Sequence, residues 1–250
     1  MTQPDSPALS FGSAADRYDE LRPSYPPAAL TWALGTGLAR VVDLGAGTGK
    51  LTRVLLALGH EVVPVEPDAQ MRRRLAERSP GIEPLEGSAE SIPLPDGSVD
   101  AVVAGQAYHW FDKELAHPEI ARVLRPGGVF APVWNIRDES VPWLARLTEI
   151  ADGRPADGHA GQLEDADFGP LFSQVTGKIF RHESWMTADR LVALISTRSY
   201  YLTATPQRRA GIEHAVRELV AAMPEPFPLP YETYVYRARR GARSPQELRS

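Results

Sequence analysis

Short apolar runs, most of them rich in valine, alternate with segments whose apolar positions follow a helical period. Glycine, proline or charged residues bound each run, which is typical of strands buried inside a sheet. The predicted strands are residues 40–44, 61–66, 82–86, 99–104 and 129–134, and the predicted helices are residues 12–21, 26–38, 51–58, 68–78 and 112–124. Strands and helices that alternate at this spacing predict an α/β fold with a doubly wound, mostly parallel sheet.

The pattern changes after Trp134, where helical segments become more frequent than strands. In chain order the prediction is helix 141–151, loop 152–170, strand 175–185, helix 188–197, helix 211–222 and strand 231–239. The chain is therefore expected to form a single domain. Its expected parts are N-terminal lid helices (1–38), a cofactor-binding core (39–135), a helical cap with the sixth strand (136–222), and a last strand with a tail (223–250).

Composition narrows the possible partners. The 250 residues carry a net charge of −5, so no general positive field is available to hold a nucleic-acid backbone. The absence of cysteine excludes disulfides, thiolate metal sites and cysteine nucleophiles, and the histidines show no metal-ligand spacing, so no metal is expected. No signal peptide or membrane-spanning run is apparent. We expect a cytoplasmic protein without a nucleic-acid or membrane partner.

A glycine-rich segment, Asp43–Gly49, joins the first predicted strand to the next helix. The first strand–helix turn of an open α/β sheet is a common ligand site, and glycine lets the backbone approach the ligand. Position 44 would be glycine, and position 51 serine or threonine, in a Walker phosphate loop, but both are leucine. A dinucleotide fingerprint would need glycine or alanine at Lys50. Glu66, 17 residues after Gly49, ends the second strand and can accept both ribose hydroxyls, which indicates a nucleoside site without a phosphate clamp.

Several sequence motifs of the chain resemble those of a known family. Val42–Gly49 and Val65–Pro67 are similar to the cofactor loop and second strand of the Rossmann-like, class I S-adenosylmethionine-dependent methyltransferases. Residues 87–100 resemble the adenine-contacting loop and the following strand of that family, and residues 123–128 resemble the approach to its fifth strand. Gln106–Phe111 resembles a small-molecule branch that includes trans-aconitate methyltransferases. The resemblance covers residues 12–135, and the rest of the chain matches only in outline.

The resemblance implies S-adenosylmethionine as cofactor and S-adenosylhomocysteine as product. Asp43 and the glycines would shape the methionine pocket, Glu66 would hold the ribose, and the Ser88–Glu90 loop would line the adenine. Many relatives have aspartate at position 88, so a backbone contact is expected there. Arg22 would pair with the cofactor carboxylate, beside tyrosines that cover the sulfonium. The expected cofactor contacts are Tyr18, Arg22, Asp43, Gly45, Ala46, Gly47, Glu66, Pro67, Met71, Ser88, Ala89, Glu90, Gln106 and Ala107.

The acceptor pocket is expected from aromatic side chains near the strand ends and in the cap. The candidates are Tyr25, Tyr108, His109, Trp110, Trp134 and Tyr200. His109 is the candidate catalytic residue, either as a general base or only as a wall of the pocket. A carboxylate acceptor would need no base, and one of Arg22, Arg137 and Arg198 would then orient it.

The favoured activity is methyl transfer to a small-molecule acceptor, with O-methylation expected. The Asn-Pro-Pro-Tyr segment typical of amino-methylating nucleic-acid enzymes is absent after the fourth predicted strand. Two alternatives stay open: a non-catalytic module that binds the cofactor or another nucleoside, and a nicotinamide-dependent oxidoreductase, which Lys50 disfavours.

Overall fold

A computed structural model describes residues 21–152 and 167–241. Six strands form one sheet, namely β1 (Arg40–Leu44), β2 (Glu61–Val65), β3 (Val99–Gly105), β4 (Leu124–Arg137), β5 (Thr176–Met186) and β6 (Phe227–Arg239). Their order is β2-β1-β3-β4-β6-β5. Strands β1 to β4 pair in parallel, and β6 runs antiparallel to both of its neighbours. The predicted α/β fold with a doubly wound, mostly parallel sheet is confirmed.

Helices cover the two faces of the sheet and pack as a group at one end of it. They are α1 (Pro27–Leu34), α2 (Lys50–Ala57), α3 (Ala69–Arg78), α4 (Lys113–Val123), α5 (Pro142–Asp152), α6 (Ala188–Ser196), α7 (Ser199–Leu202) and α8 (Pro206–Val220). Leu30 of α1 and Leu55 of α2 are fully buried in one core cluster, whereas Ile120 of α4 is fully buried in another. A third cluster joins α5, α6 and α8 to the start of β6.

The third predicted strand, residues 82–86, is not a strand in the structure. Leu85 makes only an isolated parallel bridge to Val65, in which its N–H donates to the Pro64 carbonyl. To extend this pairing by one more bridge, Pro64 would have to donate an N–H to the segment, and proline has none. Strand β2 is therefore the edge of the sheet in the described part of the chain. The Pro64 carbonyl faces outward, toward Leu85, and the donor that Pro64 lacks would point the same way, so the proline does not interrupt the ladder with β1.

Several element boundaries also differ from the prediction. The predicted reversal at Arg125–Gly128 lies within β4, where Val99 pairs with Leu124 but Ala101 pairs with Val129, so a bulge absorbs the glycines. Helix α8 begins at Pro206, five residues before the predicted start, and α7 was not predicted. The predicted helix 12–21 falls almost entirely outside the described residues. Within residues 21–152 and 167–241, none of the helices is long and apolar enough to cross a membrane.

Candidate active site

A cavity of about 430 Å³ opens where the carboxyl ends of β1, β2, β3 and β4 meet. The chain order reverses between β1 and β3, and ligands of open α/β sheets bind at such a switch point. Most of the predicted cofactor contacts line this cavity, namely Arg22, Asp43, Gly45, Ala46, Gly47, Glu66, Pro67, Met71, Ser88, Ala89, Glu90, Gln106 and Ala107. Tyr18 lies outside the described residues.

The glycine turn after β1 forms one wall of the cavity. Gly45 has φ +69°, and a Cβ added there would lie 2.7 Å from the Cβ of Ala107, in the loop after β3. Any larger residue would push the two loops apart. Gly47 has φ +56°, and its N–H donates a 2.8 Å hydrogen bond to Glu66 Oε2. The glycines therefore bring the loops after β1, β2 and β3 together around one space.

Glu66 is fixed in place by backbone donors. Its Oε2 accepts from Gly47 N–H, and its Oε1 accepts from Asp68 N–H at 2.9 Å. Asp68 in turn caps α3, because its Oδ1 accepts from the N–H groups of Gln70 and Met71. Burial raises the pKa of Glu66, and the two backbone hydrogen bonds oppose this shift. A carboxylate offers about four acceptor positions, so about two remain for ligand hydroxyls.

Asp43 is the second acidic group of the cavity. Its side chain is 1% exposed, and its Oδ2 accepts a 2.6 Å hydrogen bond from Thr52 Oγ1 on α2. Its Oδ1 is buried without a hydrogen-bond partner among the described residues. Burial raises the pKa of Asp43 to about 7, although the bond from Thr52 lowers it. The carboxylate is therefore suited to a cationic or hydrogen-bond-donating part of a ligand.

The loop after β3 is held in an uncommon backbone conformation. Gln106 has φ +58°, and in the described part of the chain no other residue except glycine has a positive φ. Its N–H donates to the Val133 carbonyl, and its Nε2 donates to the Asn135 carbonyl at 2.7 Å. Because such strain persists only when its surroundings enforce it, β4 must hold this loop against the cavity.

The predicted acceptor residues divide into two groups. Tyr25, His109 and Trp110 line the cavity, and the exposed rings of His109 and Trp110 lie 4.7 Å apart. Tyr108, Trp134 and Tyr200 do not line it. Tyr108 is buried, shares a 2.9 Å hydrogen bond with His117 Nε2 and packs edge-to-face on Trp134, so both aromatic residues belong to the core. Tyr200 packs on the cluster of α5, α6 and α8 instead.

Several lining residues were not among the predicted sites. These are Pro23, Thr48, Lys50, Leu51, Gly105, Phe111, Asn135 and Tyr231. Arg198, a predicted candidate for orienting a carboxylate acceptor, also lines the cavity. Asn135 is buried, accepts from Thr233 Oγ1 at 2.6 Å and donates to the Ser24 carbonyl at 3.1 Å, so it fixes the segment before α1 onto the sheet. Arg198 follows α6, and Tyr231 lies on β6. A pattern within one short segment of sequence cannot predict that residues from such distant segments line the same cavity.

The cavity has two ends of opposite charge. We call Asp43 and Glu66 the acidic end, and Arg22, Arg137, Arg198 and Tyr231 the basic end. Arg137 lies behind the lining and donates from Nη2 to Thr148 Oγ1 at 3.0 Å. Burial lowers the pKa of Arg198 to about 10, and the positive charges of Arg22 and Arg137 add to this effect. The described residues include no group of three or more side chains suited to a metal ion.

Comparisons with known proteins agree with this geometry. The family model described as a methyltransferase domain matches residues 42–131. An uncharacterised methyltransferase of Mycobacterium bovis is 43% identical over 238 residues, which is 92% of this chain and 96% of the relative. The malonyl-[acyl-carrier protein] O-methyltransferase of Pectobacterium atrosepticum is 32% identical over 150 residues, covering 58% of this chain and 59% of that protein.

A solved structure from Anaeromyxobacter dehalogenans, assigned to the type II methyltransferases, aligns with a TM-score of 0.66 and 27% identity. The alignment covers 88% of this chain and 97% of that chain. The chain therefore belongs to the methyltransferase family and has its Rossmann-like fold.

Proposed function

We propose that the protein transfers a methyl group from S-adenosylmethionine to an oxygen atom of a small-molecule acceptor. The observation that carries the proposal is Glu66, which Gly47 and Asp68 hold at the end of β2 with free acceptor positions toward the cavity. When bound, the cofactor supplies an electrophilic methyl group that is already bonded to a good leaving group. The protein then has to bind the cofactor and the acceptor, align them and exclude water from the cavity.

The residues of the acidic end suit this cofactor. Glu66 is placed to accept hydrogen bonds from the two ribose hydroxyls. The Ser88–Glu90 loop is placed to line the adenine, and it is tied to the next helix because Asp112 N–H donates to Glu90 Oε1 at 3.0 Å. The unpartnered Oδ1 of Asp43 would accept from the ammonium group of the methionine part.

The segment that precedes α1 contacts residues of the cavity, as a segment that covers it would. Lys50 Nζ donates to the Arg22 carbonyl at 2.7 Å, and Asn135 Nδ2 donates to the Ser24 carbonyl. The first contact joins this segment to the start of α2, and the second joins it to β4, so the segment is attached to two sides of the cavity. We propose that residues 1–38 act as a lid over the cofactor-binding core 39–135, and that the cap 136–222 selects the acceptor. Within the predicted part 223–250, β6 belongs to the sheet, and residues 242–250 lie outside the described residues.

His109 belongs to the rim of the cavity in this proposal. Its ring is exposed and lies against Trp110. This position suits contact with the acceptor. When the acceptor oxygen is already ionised, no general base is needed, and His109 then only lines the pocket.

Titration calorimetry with S-adenosylmethionine and a turnover assay test the proposal. We expect binding by the wild type, weaker binding by Glu66→Ala and unchanged binding by Glu83→Ala, whose exposed side chain lies outside the cavity. Incubation with methyl-labelled cofactor and a metabolite extract should yield S-adenosylhomocysteine and a labelled product. Cofactor binding without any transfer would indicate a non-catalytic module, and tighter binding of a nicotinamide dinucleotide would overturn the proposal.

A further inference from the structure

Three buried polar atoms of Arg137, Arg198 and Tyr231 have no hydrogen-bond partner among the described residues. Tyr231 is 1% exposed and lines the cavity, and its hydroxyl has no hydrogen-bond partner within residues 21–152 and 167–241. In the same described ranges, Nε of Arg198 and Nη1 of Arg137 are buried and also unpartnered. Buried donors are almost always paired in folded proteins. Arg198 and Tyr231 both line the cavity, so their two unpartnered donors indicate a ligand that supplies acceptor atoms.

The charge around Arg198 indicates the sign of that ligand. Among the described residues, the charged groups that act on Arg198 are Arg22 and Arg137, and both are positive. The carboxylate of Glu139 is joined to Arg137 through Thr148 Oγ1, which accepts from Arg137 and donates to Glu139 Oε1. The other titratable groups around Arg198 are the phenols of Tyr200 and Tyr231, and phenols are ordinarily neutral at pH 7. In the described part of the chain no carboxylate pairs with Arg198. A buried cation among like charges is stabilised by a bound anion.

The position of the basic end separates it from the nucleoside. Glu66 follows β2, whereas Tyr231 lies on β6, four strand positions away in the order β2-β1-β3-β4-β6. At the usual spacing of neighbouring strands this is roughly 19 Å. With the ribose at Glu66, the cofactor would extend past the ends of β1 and β3. The carboxylate of the cofactor would then pair with Arg22. The space beside β4 and β6 is then the place of the acceptor.

We propose that Arg198 and Tyr231 bind a carboxylate of the acceptor, so that the substrates are organic acids. The proposal rests on the proposed function and deepens it. The guanidinium of arginine can bind both carboxylate oxygens at once, and the phenol of Tyr231 can donate a further hydrogen bond. Arg137 supports the site through its charge, from behind the lining, while Thr148 holds its other amino group. The carboxylate thus fixes the orientation of the acceptor relative to the methyl donor.

Calorimetry with defined probes tests the proposal on the full chain saturated with S-adenosylhomocysteine. Glutarate and benzoate are the acid probes, and glutaramide and benzamide are their neutral counterparts. We expect at least one acid to bind the wild type ten times or more tightly than its amide. Arg198→Gln should remove this preference, Arg198→Lys should retain part of it, and Tyr231→Phe should weaken acid binding severalfold. The control Arg190→Gln changes an exposed arginine of α6 and should leave acid binding unchanged.

A second titration separates the acceptor from the cofactor. S-adenosylmethionine and its decarboxylated analogue are titrated into the wild type and Arg198→Gln. We expect Arg198→Gln to change the affinity for either compound by less than threefold. If Arg198→Gln weakens the binding of S-adenosylmethionine but not that of the decarboxylated analogue, the basic end binds the cofactor and the proposal is overturned. The proposal also fails if no acid probe distinguishes the wild type from Arg198→Gln, even when the cofactor binds and methyl transfer proceeds.

Two further checks keep these outcomes independent. Thermal unfolding shows whether each variant is folded before its binding is compared. The acid titrations are repeated on the protein without S-adenosylhomocysteine, so failure of cofactor binding would leave the carboxylate site testable by itself.

Discussion

The acidic and basic ends of the cavity are built in different ways. Asp43 and Glu66 belong to one strand–helix–strand unit, and backbone N–H groups of that unit hold Glu66. The basic end collects Arg22, Arg137, Arg198 and Tyr231 from segments spread over most of the described chain. In our proposal the acidic end binds the cofactor and the basic end binds the acceptor. The cofactor site would then be local in sequence, whereas the acceptor site would depend on how distant segments of the fold pack together.

The two ends also differ in how many of their buried polar atoms form hydrogen bonds within the protein. At the acidic end both oxygens of Glu66 accept hydrogen bonds, and Asp43 has one partnered oxygen and one, Oδ1, without a partner among the described residues. At the basic end Nε of Arg198 and the hydroxyl of Tyr231 have no partner among the described residues. Buried groups without partners destabilise the unliganded protein. We therefore expect substitutions at the two ends to affect stability and ligand binding differently.

Asp43→Asn should have the largest effect on the stability of the unliganded protein. The folded Asp43 holds its proton up to about pH 7, because burial raises its pKa from 3.8. Its contribution to stability is thus fully present below about pH 4 and is lost as the pH rises to about 7. The variant has no such loss, so its free energy of unfolding relative to wild type should rise by about 2–4 kcal/mol between these limits.

Urea unfolding at a series of pH values between 4 and 8 measures this difference. Glu83→Gln is the matched control, because Glu83 is exposed and its neutral variant should follow the wild type at every pH. A difference between Asp43→Asn and wild type that does not vary with pH would show that Asp43 is ionised in the folded protein across this range.

Glu66→Ala should weaken the binding of S-adenosylmethionine at the acidic end. The variant removes a charged acceptor from two ribose hydroxyls and also frees the N–H groups of Gly47 and Asp68. We expect the cofactor affinity to fall by about 2–3 kcal/mol, since hydrogen bonds to charged groups contribute about this much. Calorimetry should show an intermediate loss for Glu66→Gln, which keeps one acceptor oxygen. Equal affinities for all three proteins would remove Glu66 from the site.

Arg198→Gln should stabilise the unliganded protein. The pKa of Arg198 is lowered to about 10, so its positive charge is unfavourable in the fold at every pH below that value. Removing the charge should raise the free energy of unfolding by about 1–2 kcal/mol, or the melting temperature by roughly 2–8 °C. Differential scanning calorimetry of the unliganded protein near pH 7 measures the change. A clear loss of stability would mean that Arg198 has a structural partner.

The sequence predicted the acidic end better than the basic end, for physical reasons. The turn after β1 needs glycine where Ala107 approaches Gly45, and such a need leaves a local pattern. Arg198 and Tyr231 meet only after α6 and β6 pack at the end of the sheet, and no short segment records that contact. The three arginines could be named as candidates, but only the structure brings their charges together.

Aromatic residues and weak strands were harder to predict for a related reason. Tyr108 and Trp134 were predicted to line the acceptor pocket, but they pack into the core. Large aromatic side chains are stabilised by burial in either location, so the residue type does not distinguish the two. The predicted strand 82–86 reduces to one bridge at Leu85. Pro64 of β2 has no N–H to donate to the next bridge, so the pairing does not extend.

His109→Gln should have the smallest effect, and it tests whether the rim between the two ends takes part in proton transfer. If the basic end binds an organic acid whose carboxylate oxygen accepts the methyl group, that oxygen is ionised at neutral pH and no proton has to be removed. The variant should then lower kcat/KM by no more than about threefold through lost contact, with cofactor affinity unchanged. General-base catalysis is worth roughly 10²–10⁴ in rate, so the two roles are well separated. The measurement is the pH dependence of kcat/KM for wild type and variant, with the acceptor found by labelled transfer. A hundredfold loss, together with disappearance of the acid limb of the wild-type profile, would show that His109 removes a proton and that the acceptor is a hydroxyl.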